Sequence, residues 1–268
     1  MKRKLLAALI FSFTATGALA GKCPPPCPCP CPFTGFYGTA DFGVIYPSIK
    51  NTTTTELSVP SVIDTVFSNT SRFTDSAVTG GIALGYANML TQGILGGIEG
   101  RANLENVETS SSLTNTETTT SLTATTTTSI KLKNDFALLL KLGVIVNPKV
   151  LFYGLIGPDW GNFSVTSSSN YFQNTNESTT VNASTQNGIS RYKTGLLLGF
   201  GMEALLTQAI SLGLEYNHVW YNNLGYPTSS SPASVVSEGS PLPGVLTLNN
   251  NTNAQTNTVT LRVNYYLG

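Results

Sequence analysis

From residue 35 onward, apolar residues alternate with small or polar residues, which is the two-residue period of a β-strand. In Gly35–Tyr46, for example, Phe36 and Phe42 share one parity, while Thr39 and Asp41 share the other. Each such segment has about ten residues, the length that a tilted strand needs to cross a bilayer. The pattern predicts eight strands, over Gly35–Tyr46, Ser76–Tyr86, Gly93–Leu104, Ile130–Val144, Lys149–Trp160, Lys193–Ala204, Ile210–Tyr221 and Thr256–Leu267.

The connections between these segments alternate between short and long. Short turns are expected at 88–92, 147–148 and 205–209, whereas the long connections are rich in Thr, Ser and Asn. This alternation is typical of an antiparallel up-and-down β-barrel in a membrane, with short periplasmic turns and long extracellular loops. Both chain ends would then lie on the periplasmic side. The long, solvated loops are expected at 47–75, 105–128, 161–191 and 222–255.

A soluble β-sandwich is the alternative, because its strands also alternate apolar and polar positions. A sandwich gives no reason for all long connections to lie at one end and all tight turns at the other. It would also need large apolar residues on its second face, whereas the second face here carries glycines and mid-strand charges. The membrane barrel is therefore the favoured interpretation.

In a membrane barrel, the apolar face contacts lipid and the other face lines the lumen. An eight-stranded barrel is just wide enough for side chains to fill it, so charges inside must be paired. We expect Arg262 to meet Glu215 and Asp41, and Lys141 to meet Glu99. Two interpretations stay open for this lumen charge cluster: a plug that fixes the strand register, which is preferred, or a narrow gated ion path. Its predicted members are Asp41, Glu99, Arg101, Lys141, Glu203, Glu215 and Arg262.

Aromatic residues lie near both ends of the predicted apolar faces. Tyr46 and Trp220 fall near the loop ends, while Phe36, Tyr86 and Tyr265 fall near the turn ends. Two aromatic girdles of this kind are expected where an outer-membrane barrel meets the two membrane–water interfaces.

The first 34 residues stand apart from the repeating pattern. Residues 1–20 have a basic start, a short apolar run and a small-residue cleavage site, which predicts a signal peptide. Residues 21–34 form a Cys/Pro-rich tail, and the barrel domain is expected over 35–268. Because the periplasm is oxidising, interchain disulfides are preferred for this tail, ahead of a disordered spacer and of metal capture by thiolates. All the cysteines of the chain lie here: Cys23, Cys27, Cys29 and Cys31.

Composition agrees with a lipid-exposed surface. Charged residues make up 10% of the chain, compared with about 25% in soluble domains. Removing Lys2, Arg3 and Lys4 from the 14 basic residues leaves 11, against 14 acidic residues. The resulting charge of −3 argues against nucleic acid as a partner, which would call for a basic patch.

Catalytic chemistry finds little support in the sequence. The only histidine, His218, falls on the lipid-facing side beside Trp220, where an interfacial packing role is preferred to that of a catalytic base. No metal motif, phosphate loop or nucleotide fingerprint appears. We therefore expect neither an enzyme nor a cofactor.

Several short motifs resemble those of small outer-membrane barrels of the opacity and OmpA-like type. A Gly-rich strand over Leu196–Glu203 passes a polar turn and continues into a strand with Leu214-Glu215-Tyr216, like the penultimate hairpin of those barrels. Gly35-Phe36-Tyr37 resembles their opening strand. The resemblance, over about residues 33–268, implies an eight-stranded fold, assembly by the outer-membrane insertion machinery, and a role as adhesin, surface antigen or structural protein.

These observations predict a surface protein of a Gram-negative outer membrane, with a structural or adhesive, host-interaction role and no catalysis. A narrow ion or small-solute channel is the alternative. The expected partners are outer-membrane lipid, the insertion machinery and host surface molecules, with an interchain disulfide through the N-terminal tail.

Overall fold

The computed structural model describes residues 33–59, 63–117, 122–175, 179–221, 224, 229–237 and 240–267. The predicted signal peptide and the four cysteines lie outside the described residues. No helix in the described part of the chain is long and apolar enough to cross a membrane. The described residues form ten strands: β1 (Gly35–Val59), β2 (Ile63–Phe73), β3 (Ala77–Thr91), β4 (Ile94–Glu117), β5 (Leu122–Asn147), β6 (Val150–Thr175), β7 (Thr179–Leu205), β8 (Ile210–Tyr221), β9 (Ser229–Ser237) and β10 (Ser240–Leu267).

Eight of these strands close into an antiparallel ring, in the order β1-β3-β4-β5-β6-β7-β8-β10. The ring closes where β10 pairs with β1 over a long register that runs from Phe36 opposite Leu267 to Ser58 opposite Val245. Closure leaves every spanning strand with a hydrogen-bonded neighbour on both sides, as a backbone in lipid requires. The predicted all-β, eight-stranded antiparallel barrel is therefore confirmed.

The predicted short turns are all present at one end of the barrel. The first is shorter than expected, because β3 continues to Thr91 and only Gln92 and Gly93 separate it from β4. Gly93 has a φ of +78°, a left-handed conformation that glycine adopts without strain. At the turn between β7 and β8, the amide of Ile210 donates to the Thr207 hydroxyl at 3.0 Å.

The prediction that 47–75, 105–128, 161–191 and 222–255 are loops is wrong, because most of these residues are strand. β1, β4, β5, β6, β7 and β10 continue beyond the aromatic positions, and β2 and β9 are additional strands at this level. β9 pairs with β10 and β7 and so takes the place that β8 holds below. β2 pairs with the upper part of β1, on the side where β3 pairs with β1 below.

Hydrogen bonds between inward side chains explain why these polar segments are strands. Inside this upper barrel, the Thr53 hydroxyl donates to Asn250 at 2.7 Å, and the Thr252 hydroxyl donates to Asn51 at 2.6 Å. Threonine also favours strands because it is branched at Cβ. Polar composition alone suggested loops, since it does not reveal that the side chains satisfy one another across strands.

The membrane belt lies around the lower part of the barrel. Its outward residues are apolar and well exposed; Ile82 is 67% exposed and Leu84 is 75% exposed. From Phe36 to Tyr46 the belt covers ten residues of a tilted strand, which corresponds to about 25 Å along the membrane normal. That height matches the apolar band expected of an outer-membrane barrel.

The alternation on β5 reverses once, contrary to the sequence prediction. Regular alternation over the predicted strand Ile130–Val144 places Ile130 and Leu132 on the apolar, outward face, but both are buried inside the barrel. The register between β5 and β6 shifts between Leu132 and Asp135, so one extra residue at this bulge moves all earlier side chains to the opposite face. As a result, Lys131 points outward, where it forms an exposed ion pair with Glu108 at 2.7 Å.

Candidate functional site

Two arginines and two glutamates form a closed network of ion pairs across the middle of the lumen. Arg101 contacts Glu99 at 2.7 Å and Glu215 at 2.8 Å. Arg262 contacts Glu99 at 2.8 Å and also pairs with Glu215. These side chains are at most 3% exposed. Each charge therefore has two opposite partners, which is the arrangement that offsets the desolvation of ions buried in a narrow space.

Alternation along three strands positions these four groups. Glu99 and Arg101 are two residues apart on β4, so both point inward, while Glu215 on β8 and Arg262 on β10 point inward from the opposite wall. The Arg262–Glu215 contact agrees with the sequence expectation. The additional contact between Arg262 and Glu99 crosses the lumen and could not be read from strand adjacency.

Lys141 forms a second buried ion pair below the network. Its ammonium donates to Glu203 at 3.2 Å, so the predicted pairing of Lys141 with Glu99 is wrong. Glu99 is already paired with both arginines. Because the lumen is narrow, the Lys141 side chain on β5 reaches β7, although β6 lies between these two strands. The Lys141 ammonium also lies over the rings of Tyr37, at 4.9 Å, and Tyr153, at 4.2 Å.

Inward tyrosines complete the network, and the predicted cluster omitted them. The hydroxyl of Tyr37 donates to Glu99 at 2.9 Å, and the hydroxyl of Tyr153 donates to Glu215 at 2.9 Å. Glu203 also accepts hydrogen bonds from Ser211 and Tyr266. Residue parity would have identified Tyr37 and Tyr266, because they alternate with lipid-facing residues on their strands.

Asp41 does not join the ion-pair network. Its Cα lies opposite that of Arg262, yet no ion pair joins the two side chains, so the predicted contact is wrong. The Arg262 guanidinium instead approaches Glu99, Glu215 and the Thr39 hydroxyl. Asp41 is partly exposed, and its Oδ2 has no hydrogen-bond partner among the described residues.

Above the network, the lumen is acidic. Glu105, Asp135 and Asp159 are buried there, and sequence reasoning left them out of the cluster. Glu105 falls in a predicted loop, and Asp159 falls in Lys149–Trp160, a predicted strand in which apolar residues occupy both faces. Asp159 accepts a hydrogen bond from the Tyr221 hydroxyl at 2.6 Å, and Asp135 accepts one from the Asn103 amide at 2.7 Å.

These acidic residues line an internal cavity of about 10 Å³, which is room for a single water molecule. Buried oxygen atoms without a partner among the described residues are concentrated there: Asp41 Oδ2, Glu105 Oε2, Asp159 Oδ2, Asn217 Oδ1 and Thr260 Oγ1. Unpaired buried acceptors are costly, so a hydrogen-bond donor such as water suits this cavity.

Glycines on the lumen face make space for these side chains, as the sequence suggested. A Cβ at Gly81 would overlap the Asn103 amide oxygen, and a Cβ at Gly199 would overlap that of Asn217. The polar side chains therefore occupy volume that any larger residue at these two positions would take.

All five residues of the predicted girdles point outward. Phe36 is 64% exposed and contacts the ring of Tyr86 at 4.9 Å, whereas Tyr265 is 53% exposed at the same end. Tyr46 and Trp220 are 49% and 40% exposed at the other end. Trp160 and Tyr192 also point outward at this upper level, and the prediction had not included them.

His218 lies on the outward face, as expected, and its ring contacts that of Trp220 at 4.1 Å. Its Nδ1 lies 2.7 Å from the Asn257 amide oxygen. Within the described ranges, no group of three or more His, Cys, Asp or Glu residues could hold a metal ion.

A search of solved structures finds similarity to several outer-membrane proteins at low sequence identity. Ail of Yersinia pestis is 10% identical, covers 85% of this chain and 99% of its own, and has a TM-score of 0.25. OprG of Pseudomonas aeruginosa is 10% identical, covers 87% and 97%, and has a TM-score of 0.37. Neisserial surface protein A is 10% identical, covers 87% and 98%, and has a TM-score of 0.31.

No curated protein matches the chain. A family model, described as the outer membrane protein beta-barrel domain, matches residues 6–266. Because this match covers nearly the whole chain, the protein is a bacterial outer-membrane barrel. The chain belongs to the outer membrane protein β-barrel family.

Proposed function

We propose that this barrel is a non-catalytic surface protein whose spanning part is a sealed anchor for rigid β-hairpins that make structural or adhesive contacts outside the cell. In this proposal the hairpins face the exterior and both termini lie on the periplasmic side. The observation that carries it is the closed lumen, in which Arg101 and Arg262 join opposite walls through Glu99 and Glu215.

Sealing of the lumen argues for an anchor rather than a pore. Arg262, Lys141 and Tyr37 are among the largest fully buried side chains, and they fill the cross-section together with the ion pairs. A solute would have to break several buried ion pairs at once. Removing one partner of such a pair costs roughly 3–5 kcal/mol, so spontaneous opening of the network would be rare.

The hairpins extend the barrel well beyond the membrane belt. β1 continues from Tyr46 to Val59, which adds roughly 30 Å along the membrane normal for a strand tilted by about 45°. Inside this extension, Leu57, Leu246 and Leu248 are buried. A packed interior supports hairpins that hold a fixed shape, which suits contact with another surface.

Two measurements test the proposal. In planar bilayers, the refolded barrel is expected to give no discrete openings. Barrel in nanodiscs is expected to bind host cells or extracellular matrix saturably, and binding should be lost when the β1–β2 hairpin is shortened to a tight turn between Thr52 and Thr70. A variant shortened to the same extent between β4 and β5 is the control for loss of mass. Reproducible conductance with no saturable binding would overturn the proposal.

A narrow cation path is the second candidate, favoured by the upper lumen. Glu105, Asp135, Asp159 and Asp41 surround one cavity, and Arg101 is the one basic residue that lines it among the described residues. An acidic vestibule of this kind attracts cations. Discrete openings that are selective for cations and abolished by Glu215→Gln would favour this candidate over the sealed anchor.

Two further partners belong to the proposal. Assembly would use the outer-membrane insertion machinery, and Cys23, Cys27, Cys29 and Cys31 would join chains by disulfides. Depletion of the insertion machinery should leave the chain unfolded in the periplasm. Non-reducing gels of intact cells should show a dimer that disappears when the four cysteines are replaced by serine.

A further inference from the structure

We propose that a basic patch on the outer surface of β2, β1 and β10 binds the phosphate groups of membrane lipids in the headgroup layer. The basic patch consists of Lys50, Arg72, Thr52, Thr70 and Asn253. This inference needs only the insertion of the barrel in the membrane, and it does not depend on the adhesive role proposed above.

Strand register brings the patch together. Lys50 on β1 lies opposite Arg72 on β2 on one side and opposite Asn253 on β10 on the other. One row higher, Thr52 lies opposite Thr70, with their hydroxyl oxygens 3.2 Å apart. Lys50, Arg72 and Asn253 are exposed on the outer face.

The side chains between them confirm that this face is the outer one. Ile49, Asn51 and Phe73 are at most 4% exposed and point into the barrel. The basic patch is thus separated from the lumen by a closed part of the wall, and it continues the surface that contacts lipid below.

Two like charges directly opposite each other on neighbouring strands destabilise a sheet unless an anion lies between them. Neither Lys50 nor Arg72 has an ion-pair partner among the described residues. By contrast, Lys131, which also points outward, is neutralised by Glu108 at 2.7 Å. The basic patch therefore has the positive charge to bind an anion, and none of the described residues supplies that anion.

The height of the basic patch identifies the source of that anion. Along β10, Tyr46 lies opposite Asn257, Trp220 opposite Gln255, and Lys50 opposite Asn253. Lys50 thus lies two to four residues above the aromatic girdle, which is about 5–9 Å along the membrane normal for a tilted strand. The headgroup layer of each leaflet is about 5–8 Å thick, so the two charges lie among lipid phosphates.

The chemistry of the donors matches a phosphate group. An arginine guanidinium binds two phosphate oxygens at once, and a lysine ammonium adds a second positive charge. The hydroxyls of Thr52 and Thr70 and the amide of Asn253 supply neutral donors around these charges. A lipid with an uncompensated anionic phosphate is therefore favoured over a zwitterionic phospholipid, whose headgroup carries its own cation beside the phosphate.

Spin-labelled lipids test this inference. The full barrel is reconstituted in phosphatidylcholine bilayers, and electron paramagnetic resonance compares the association of spin-labelled phosphatidylglycerol with that of spin-labelled phosphatidylcholine. Each basic residue near an anionic surface changes association by about five-fold, so a clear preference for phosphatidylglycerol is expected at low salt. The double variant Lys50→Ala/Arg72→Ala should lose that preference.

Lys131→Ala is the matched control, because Lys131 lies four residues above the level of Trp160 but already has a partner. It should retain the preference, and all variants should keep the heat-modifiable gel migration of a folded barrel. Equal association of the two lipids with the unchanged protein, or a preference that survives the double variant, would overturn the inference. The inference would also be overturned if the double variant lost binding to a soluble sulfated polysaccharide but kept its lipid preference. The patch would then bind a different partner.

Discussion

Arg262 on β10 lies directly opposite Gly213 on β8, and its side chain runs along β8 to pair with Glu215 two residues away. Gly213 has no side chain to block this diagonal path. A Cβ at Gly213 would lie in van der Waals contact with the Cβ of Arg262, at 3.8 Å, and 3.1 Å from the backbone carbonyl oxygen of Met202. The diagonal contact links β8 to β10 and, through Glu99, to β4, so one guanidinium fixes the relative positions of three strands.

Replacing Arg262 tests whether this contact stabilises the barrel. Arg262→Leu leaves Glu99 and Glu215 with one cationic partner each, and removal of one member of a buried ion pair costs about 3–5 kcal/mol. Urea unfolding in lipid vesicles should show a loss of this size. Lys133→Leu, at an exposed position outside the basic patch, should change the free energy of unfolding by less than about 0.5 kcal/mol. Equal effects of the two substitutions would contradict a structural role for the network.

One outward lysine and one inward lysine of β5 provide a second comparison. Lys141→Met should destabilise the barrel by about 3 kcal/mol, because Glu203 would stay buried without its cation. Lys131→Met removes an exposed ion pair and should cost at most about 1 kcal/mol. The midpoint of heat-modifiable gel migration measures both. A larger loss for Lys131→Met would mean that the side-chain directions on β5 are reversed.

Gly43 tests the close approach of two strands in the wall. A Cβ at Gly43 would overlap the backbone carbonyl oxygen of Val259, which cannot move without disturbing the register of β1 and β10. Gly43→Ala should therefore destabilise the barrel by about 1–3 kcal/mol. Gly100→Ala is the control, because the nearest atom to its added Cβ is 4.0 Å away. Vesicle unfolding should separate the two variants, and a neutral Gly43→Ala would refute the close approach.

The limits of the lipid belt can be measured with an added charge. Ile82 and Val66 are exposed apolar residues, but Ile82 lies in the middle of the belt and Val66 lies on the β2 hairpin above it. Ile82→Arg should cost about 2–4 kcal/mol in lipid vesicles, whereas Val66→Arg should cost less than about 1 kcal/mol. A neutral Ile82→Arg, or an equal cost at both positions, would show that the belt is misplaced.

Alternation of residues was enough to predict the barrel and most of its inward charges, because lipid and lumen impose opposite requirements on successive residues. It failed at the bulge after Leu132, since the extra residue that reverses the faces has no signature in composition. Parity also could not predict that Lys141 meets Glu203, because contacts across a narrow lumen depend on side-chain length and on competition for Glu99.

The strand character of the Thr-rich connections was missed for a different reason. Residues such as Thr53 and Asn250 look solvated in sequence, but in the barrel they hydrogen-bond to each other inside a second layer of strands. Alternation is hard to detect where both faces are polar. The inward direction of the tyrosines could have been predicted from alternation, since Tyr37 falls on the same face as Asp41.

Fluorescence quenching by brominated lipids tests the outward placement of the apolar face most directly. The chain has two tryptophans, Trp160 and Trp220, and both point outward at the upper girdle. In bilayers of lipids brominated at known depths, quenching should be strong for bromines near the headgroups and should weaken for bromines near the bilayer centre. Tryptophans that no brominated lipid quenches, in a chain that is folded, would contradict the membrane barrel.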